Sequence, residues 1–380
     1  MKLRVLITGG AGFIGTNVSR KLIAAGHEIT ILDNFHPQIH GENTSLPEDL
    51  SSAVRLVKGS VEDRELLYKC LRNQDAVVHL AAETGTGQSM YHIARYTSAN
   101  IMGTAHLCDF IVNEEHQLKS VVVASSRSIY GEGKYICPNH GVVYPHARTN
   151  ASAARQFDVY CPESDECKLQ LAPTDENSKI LPSSFYGITK QVQEQMVIMA
   201  TRLKNISSYA LRYQNVFGPG QSLKNPYTGI LSIFTRLALQ HQSINIFEDG
   251  LESRDFVFID DVANATVAAV TKGANGQHIV NVGSGVPTSV MEVAQEIKSF
   301  LSSNSEIFIS GDFREGDIRH NYADLGKLKE VLGYTPSWSF KEGLHEFLKW
   351  ALAQNDIPAT MADYQQSLLE LKERGLLNKN

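Results

Sequence analysis

Tyr186 and Lys190 stand four residues apart in Phe185-Tyr186-Gly187-Ile188-Thr189-Lys190, a spacing that puts a phenol and an ammonium on one helix face. A free phenol titrates near ~10. A cation held at ~4 Å, with an effective dielectric of ~20, favours its anion by roughly 4 kcal/mol, on the order of a thousandfold in acidity. Such a pair can take the proton of an alcohol near neutral pH. A second stretch, Ser125-Ser126-Arg127-Ser128-Ile129-Tyr130-Gly131, begins at the carboxyl end of the apolar run Ser120–Ser125 and offers Ser126 as a hydrogen-bonding partner for a reacting hydroxyl. Taken alone, Tyr-x-x-x-Lys is a short pattern of common residues, and a chance surface pair is the simpler reading. The rest of the sheet that must position these residues reverses that balance.

The chain opens on the short apolar strand Leu3–Ile7, followed at once by Gly9-Gly10-Ala11-Gly12-Phe13-Ile14-Gly15. A helix from Thr16 to Ala25 follows, with Val18, Leu22 and Ile23 at helical spacing and a stop at Gly26. In such a turn one glycine permits the bend, another lets backbone approach a pyrophosphate, and a third brings helix close to strand. The helix N-terminus then offers free N–H groups to phosphate. A second strand, Glu28–Leu32, ends in Asp33, about 20 residues beyond the glycines, where an acid can hold a ribose 2′-hydroxyl. Asp33 would repel a 2′-phosphate and no Arg follows it, so the cofactor is NAD rather than NADP.

Strands at Val54–Val57, Asp75–Ala82, Ser120–Ser125 and Ser207–Arg212 alternate with helices at Arg64–Arg72, Tyr96–Asn113 and Ser183–Leu203. That alternation predicts an α/β fold, a Rossmann-type doubly wound parallel sheet, with ligands at the carboxyl ends of the strands. The 380 residues divide into an NAD-binding domain over 1–212, with an insert at about 132–179, and a discontinuous substrate-binding domain over 213–355. A strand and helix at 256–271 are expected to rejoin the first domain, and the stretch from Lys341 reads as two polar helices separated around Asp356-Ile357-Pro358, with 356–380 as a C-terminal helical tail. A net charge of −6 excludes a basic nucleic-acid surface. No run approaches ~18 apolar residues, so no membrane span is expected. Five cysteines do not read as a disulfide framework, which points to the cytoplasm. The apolar stripes of Tyr96–Asn113 and Ser183–Leu203 are either core or the seam of a homodimer.

These motifs together resemble the extended short-chain dehydrogenase/reductases, specifically the nucleotide-sugar epimerases and dehydratases that use NAD. The resemblance rests on Gly9-x-x-Gly12-x-x-Gly15, Asp33, His79-Leu80-Ala81-Ala82, Asn100, Ser126, Tyr186 and Lys190, Asn215-Val216-Phe217-Gly218-Pro219, Arg254-Asp255-Phe256 and Arg314-Glu315-Gly316-Asp317. It implies that Tyr186 is the general base, that Lys190 holds the nicotinamide ribose and lowers the Tyr186 pKa, and that Ser126 binds the reacting hydroxyl. By the same resemblance Phe13, Ile14, Asn34, Ser60, Val61, Leu80, Ala81, Ala82 and Asn100 line the cofactor, tightly bound. Ser60 stands where many relatives carry an Asp. Thr84, Arg127, Asn215, Arg254, Arg314 and Asp317 are implied contacts of the nucleotide-diphosphate sugar.

In the dehydratase branch an Asp and a Glu follow the Ser or Thr; here Arg127 and Ser128 do. Neither can serve as a proton-transfer pair at neutral pH, so oxidation and reduction at C4 remain. Glu83–Met90, Ser125–Gly131 and Gly218–Gly229 give a finer resemblance to the dTDP-L-rhamnose 4-epimerases, and so imply interconversion of dTDP-L-rhamnose and dTDP-6-deoxy-L-talose. A 4-ketoreductase on the same sugars, a UDP-sugar 4-epimerase and a non-catalytic NAD-binding protein are the alternatives. His79, at a strand end, reads as a structural hydrogen-bonding residue.

In the insert, Cys137-Pro138-Asn139-His140 and Cys161-Pro162-Glu163-Ser164-Asp165-Glu166-Cys167 offer three thiols and an imidazole in two clusters. Cys137, His140, Cys161 and Cys167 would suit structural zinc. The C-x₅-C spacing is longer than the usual knuckle, and ordinary loop cysteines are the alternative.

Overall fold

Aliphatic runs without polar alternation dictate strands covered on both faces, and these form the centre of the molecule. The computed structural model describes residues 2–148, 157–223, 225, 229–354 and 361–378. The central sheet has seven parallel strands: β1 (Arg4–Thr8), β2 (Glu28–Asp33), β3 (Arg55–Lys58), β4 (Ala76–His79), β5 (Ser120–Ser126), β6 (Ser207–Tyr213) and β7 (Gln277–Val282). Their order in space is β7-β6-β5-β4-β1-β2-β3. The order reverses between β1 and β4, and ligands bind at that switch point in doubly wound sheets.

Helices α1 (Phe13–Ala24), α2 (Gly103–Asn113), α3 (Phe185–Leu203) and α4 (Ile259–Thr271) cover the faces. Val18 and Leu22 of α1 and Val262 and Ala263 of α4 pack on Val5, Ile7 and Ile31. Leu107 and Phe110 of α2 and Val197 and Ala200 of α3 pack on Leu6, Val77 and Val123 from the other side.

The strand expected to rejoin this sheet does not. Ser253–Phe258 pairs with Asn215–Phe217, Pro287–Ser289 and His320–Asn321 in a second, smaller sheet. Phe256 and Phe258 belong to a separate core with Phe217, Phe234, Leu344 and Phe347, and this aromatic packing decides the pairing. Only α4 returns to the main sheet. The seventh main strand is β7, whose residues Gln277-His278-Ile279-Val280-Asn281-Val282 mix polar and apolar positions as an edge strand does.

The helix expected over Tyr96–Asn113 is interrupted. Thr97–Met102 is a π turn between Ile93–Tyr96 and α2. Such insertions redirect a side chain and are frequent at functional sites. Here Asn100 turns inward. The insert forms short antiparallel pairs, Tyr135–Cys137 with Gly141–Val143 and with Gln170–Leu171, and Tyr160–Cys161 with Ser164–Lys168. At the C-terminal end, Phe340–Leu352 and Ala362–Glu373 are helices, and the expected break at Asp356-Ile357-Pro358 lies outside the described residues. Leu377–Asn378 pairs antiparallel with Phe313–Arg314, so the tail folds back onto the molecule.

Candidate active site

Backbone geometry builds the first wall of the site. Gly15 lies so close to the turn that a Cβ there would sit 2.6 Å from the Gly9 carbonyl oxygen and from Gly10 Cα, backbone atoms that cannot move aside. Helix α1 begins directly behind, with Gly12 at its N-cap and no side-chain cap. Its first N–H groups therefore stay available to an anion. Asp33, at the end of β2, accepts from Ala11 N at 3.0 Å and Phe35 N at 2.8 Å, and so locks the turn against the second strand.

A cavity of about 520 Å³ opens over this turn, within the range of small-ligand sites. It is lined by Gly9, Gly12, Phe13, Ile14, Gly15, Asp33, Asn34, Ser60, Val61, Leu80, Ala81 and Ala82 of the expected cofactor set. Thr84, Ser126, Tyr186 and Lys190 line it too. The cavity fits a dinucleotide on two counts: the uncapped helix start suits a pyrophosphate, and Gln214 is an orphan. Gln214 lines the cavity, is 4% exposed, and neither its side-chain oxygen nor its nitrogen has a partner among the described residues. A buried amide in that state calls for a ligand. Gly15→Ala is expected to weaken NAD binding at least roughly a hundredfold, about 3 kcal/mol, in a fluorescence titration. Unchanged affinity would remove the turn as the phosphate site.

Asn100 is the exception in the cofactor set. It is fully buried, donates to Glu83 O at 3.1 Å and Thr189 Oγ1 at 2.9 Å, and accepts from Glu83 N at 2.7 Å. Its amide is spent fastening the loop after β4 to α3, and it does not line the cavity. His79 is likewise structural: it bonds Thr8 Oγ1 at 2.8 Å and Thr104 Oγ1 at 3.0 Å, and burial pushes its pKa down to about 3.

The second wall is set by α3. Ser184 caps it by accepting from Gly187 N at 3.1 Å. A Cβ at Gly187 would fall 2.6 Å from the Ser128 carbonyl, so only glycine lets α3 press on the turn Arg127–Tyr130. That approach brings Tyr186 beside Ser126. The Tyr186 ring packs edge-on against Tyr96, centroids 6.4 Å apart, and its N–H is held by Ser89 Oγ at 3.0 Å. Gly187, Ser89 and Gln214 carry no chemical signature, and the sequence reading missed all three.

Lys190 is 2% exposed, with Nζ donating to Ala124 O at 3.0 Å and lying 5.9 Å from the Tyr186 ring centroid. An ammonium has three donors, and the Ala124 carbonyl takes one of them. Burial pushes its pKa down to about 7. Burial raises the pKa of Tyr186, opposed by a hydrogen bond from Ser126 and by the Arg127 charge. Ser126 and Arg127 thus act against burial at Tyr186, and the same dry surroundings weaken the Lys190 ammonium.

The residues expected at the substrate cluster around Arg127, just beyond the cavity. Arg127 Nε donates to Asn215 Oδ1 at 3.0 Å. Burial and the nearby Arg254 guanidinium push the Arg127 pKa down to about 10, with Asp317 acting against them. Arg314 Nη1 stands 3.8 Å from Asp317 Oδ2 and over the Phe247 ring, and its Nε is buried without a partner among the described residues. Arg254 is more committed: it donates to the Ser253, Ile318 and Arg319 carbonyls at 2.7–3.0 Å. Ser128 donates to Ser126 Oγ at 2.9 Å, so neither position after Ser126 holds a free acid or base. Of the proposed metal ligands, Cys137, His140 and Cys161 converge within 4.8 Å of one another, and Cys167 lies on the adjoining hairpin.

The sequence pattern of the NAD dependent epimerase/dehydratase family matches residues 5–283. The dTDP-L-rhamnose 4-epimerase of Burkholderia thailandensis is 37% identical over 356 residues, 93% of this chain and 96% of that one. The UDP-N-acetyl-alpha-D-glucosaminuronate decarboxylase of Bacillus cytotoxicus is 30% identical over 92% of this chain and 98% of its own length. Among solved structures, the UDP-glucose 4-epimerase of Thermotoga maritima with UDP-glucose superposes with a TM-score of 0.75 at 27% identity, covering 92% of this chain and 99% of that one. The matched span takes in the glycine turn, Ser126 and the Tyr186–Lys190 pair, and agreement at that length leaves one conclusion: this chain belongs to the NAD dependent epimerase/dehydratase family.

Proposed function

We propose that this protein is an NAD-dependent nucleotide-sugar 4-epimerase, and that its substrates are dTDP-L-rhamnose and its C4 epimer, dTDP-6-deoxy-L-talose. When bound, NAD supplies reversible hydride acceptance at C4 of the sugar. Tyr186 takes the C4 hydroxyl proton and returns it, while Ser126 hydrogen-bonds the same oxygen. Lys190 uses its two spare donors to hold the ribose, and Arg127, beside Asn215, faces the substrate phosphates. Arg314 and Asp317 border that side, and Arg254 adds what donors it has left. Within 213–355 the second sheet and its aromatic core thus serve the nucleotide-sugar, while Gln214, α4 and β7 go with the main sheet that serves the cofactor.

One observation carries the choice of reaction. Ser126, Tyr186 and Lys190 open onto one cavity with the start of α1, while the positions of a dehydratase acid and base are Arg127 and Ser128, the latter bonded to Ser126. The sugar assignment rests on likeness to the Burkholderia enzyme. Incubating pure protein with dTDP-L-rhamnose and no added nucleotide tests both, and a second stereoisomer is expected by NMR. No second isomer from dTDP-L-rhamnose, with NADH consumed one for one on the dTDP-4-keto-6-deoxy sugar, would make it a ketoreductase; turnover of UDP-glucose alone would make it a UDP-sugar epimerase.

The five unpaired thiols fit a reducing cytoplasm. A homodimer is part of the same reading: Ile188, Met199 and Leu203 on α3 and Met102 before α2 are exposed apolar side chains on two neighbouring helices. Sedimentation should give a dimer for the native protein and a monomer for Met199→Glu/Leu203→Glu. A native monomer would sink the seam.

A further inference from the structure

The insert between the two reactive motifs has its own small core of Tyr135, Cys137, Val143, Val159, Cys161 and Cys167, with Leu169 and Leu171 against it. Half of the buried members are thiols. That core is gathered from residues 135–171, and modules below ~40 residues bury little apolar surface and usually need a metal or disulfides. Its cysteines are all free. His140 Nδ1 lies 3.3 Å from Cys137 Sγ and 3.4 Å from Cys161 Sγ. Tetrahedral zinc with ordinary Zn–S and Zn–N bonds would set those edges at about 3.5 Å. Cys167 Sγ accepts a hydrogen bond from Asn139 Nδ2 at 3.1 Å and is itself a hydrogen-bonding neighbour of Cys137. An amide donor on sulfur is the kind of partner that steadies a metal-bound thiolate.

We propose that Cys137, His140, Cys161 and Cys167 bind one structural zinc ion, and that this ion positions the insert against the substrate side of the active site. The link is Arg148. It is 3% exposed and reaches out of the insert into a buried network. Nε donates to Glu132 Oε1 at 3.1 Å, the two terminal nitrogens clamp Glu248 at 2.8 and 2.9 Å, and Nη2 also donates to the Asp317 carbonyl at 3.1 Å. Glu132 in turn accepts from Arg319 N at 2.7 Å, next to the carbonyls that fasten Arg254. An insert held by zinc keeps Arg148 in that network and the Asp317–Arg127 side of the site in register. Without the ion, four polar or thiol groups no longer hold the two hairpins together.

Metal analysis of the purified enzyme, never exposed to chelator, should give close to one zinc per chain. Folded, active protein free of zinc overturns the site. Protein grown with cobalt should show the visible bands of tetrahedral thiolate-bound cobalt, and Cys161→Ser should lose them; octahedral or absent bands in the native protein also overturn it. His140→Ala, a change at an exposed ligand, reads the coupling. It should lower zinc content and raise the KM for the nucleotide-sugar several-fold at unchanged NAD content. Zinc lost with KM unmoved would separate the ion from the active site and refute the positioning role.

Discussion

Tyr186→Phe should lower kcat by about a thousandfold, since positioned acid–base groups contribute on the order of 10²–10⁴, while NAD remains bound and the melting temperature changes little. The ring keeps its edge-on contact with Tyr96 and its backbone keeps the bond to Ser89, so only the hydroxyl is lost. That hydroxyl is held above the ordinary phenol range by burial, against the pull of Ser126 and Arg127. In the native enzyme kcat/KM should therefore rise with pH towards the pKa that Tyr186 adopts with cofactor bound, and the residual rate of the variant should lack that limb. More than a tenth of native turnover in Tyr186→Phe, with the limb intact, would assign the proton to another group.

Lys190→Met should move activity and stability in opposite directions. Turnover should fall by two to three orders of magnitude, in the ~10²–10⁴ range of a lost positioning and proton-handling group. The cofactor-free protein should become more stable below neutrality. The sign follows from burial. Lys190 titrates at about 7 in the folded protein against roughly 10.4 unfolded, so between those values the unfolded chain carries the extra proton. Stability contributed by this residue is at its lowest below pH ~7 and rises through the window to pH ~10, a span on the order of 4 kcal/mol. Half-buried Cys108, raised to about 12 by desolvation, acts oppositely above its unfolded range, so the quantity to measure is the difference between native and variant in denaturant titrations at several pH values. A difference independent of pH would show that Lys190 is not a buried cation.

Much of this site is legible without coordinates because its chemistry depends on local sequence. The glycine turn, Asp33 closing β2 and the four-residue interval from Tyr186 to Lys190 are set within single elements, where backbone period alone says what faces what. The exclusion of dehydration at Arg127 and Ser128 needs only their side-chain chemistry. What depends on contacts between distant elements was not legible. The pairing of Ser253–Phe258 was decided by an aromatic core gathered from residues 217 to 347, and an edge strand such as β7 has no apolar run to announce it.

The electrostatics of the proton-transfer pair were decided the same way. Sequence places an ammonium near a phenol, but desolvation by the whole fold weakens that charge and raises the phenol's pKa against the pull of Ser126 and Arg127. Residue types and their intervals determined the sheet, its cofactor and the groups that react. Tertiary structure alone decided how far apart those groups stand, how dry they are, and that two thiols of a remote insert meet at a single imidazole, because distance and desolvation belong to the folded chain as a whole.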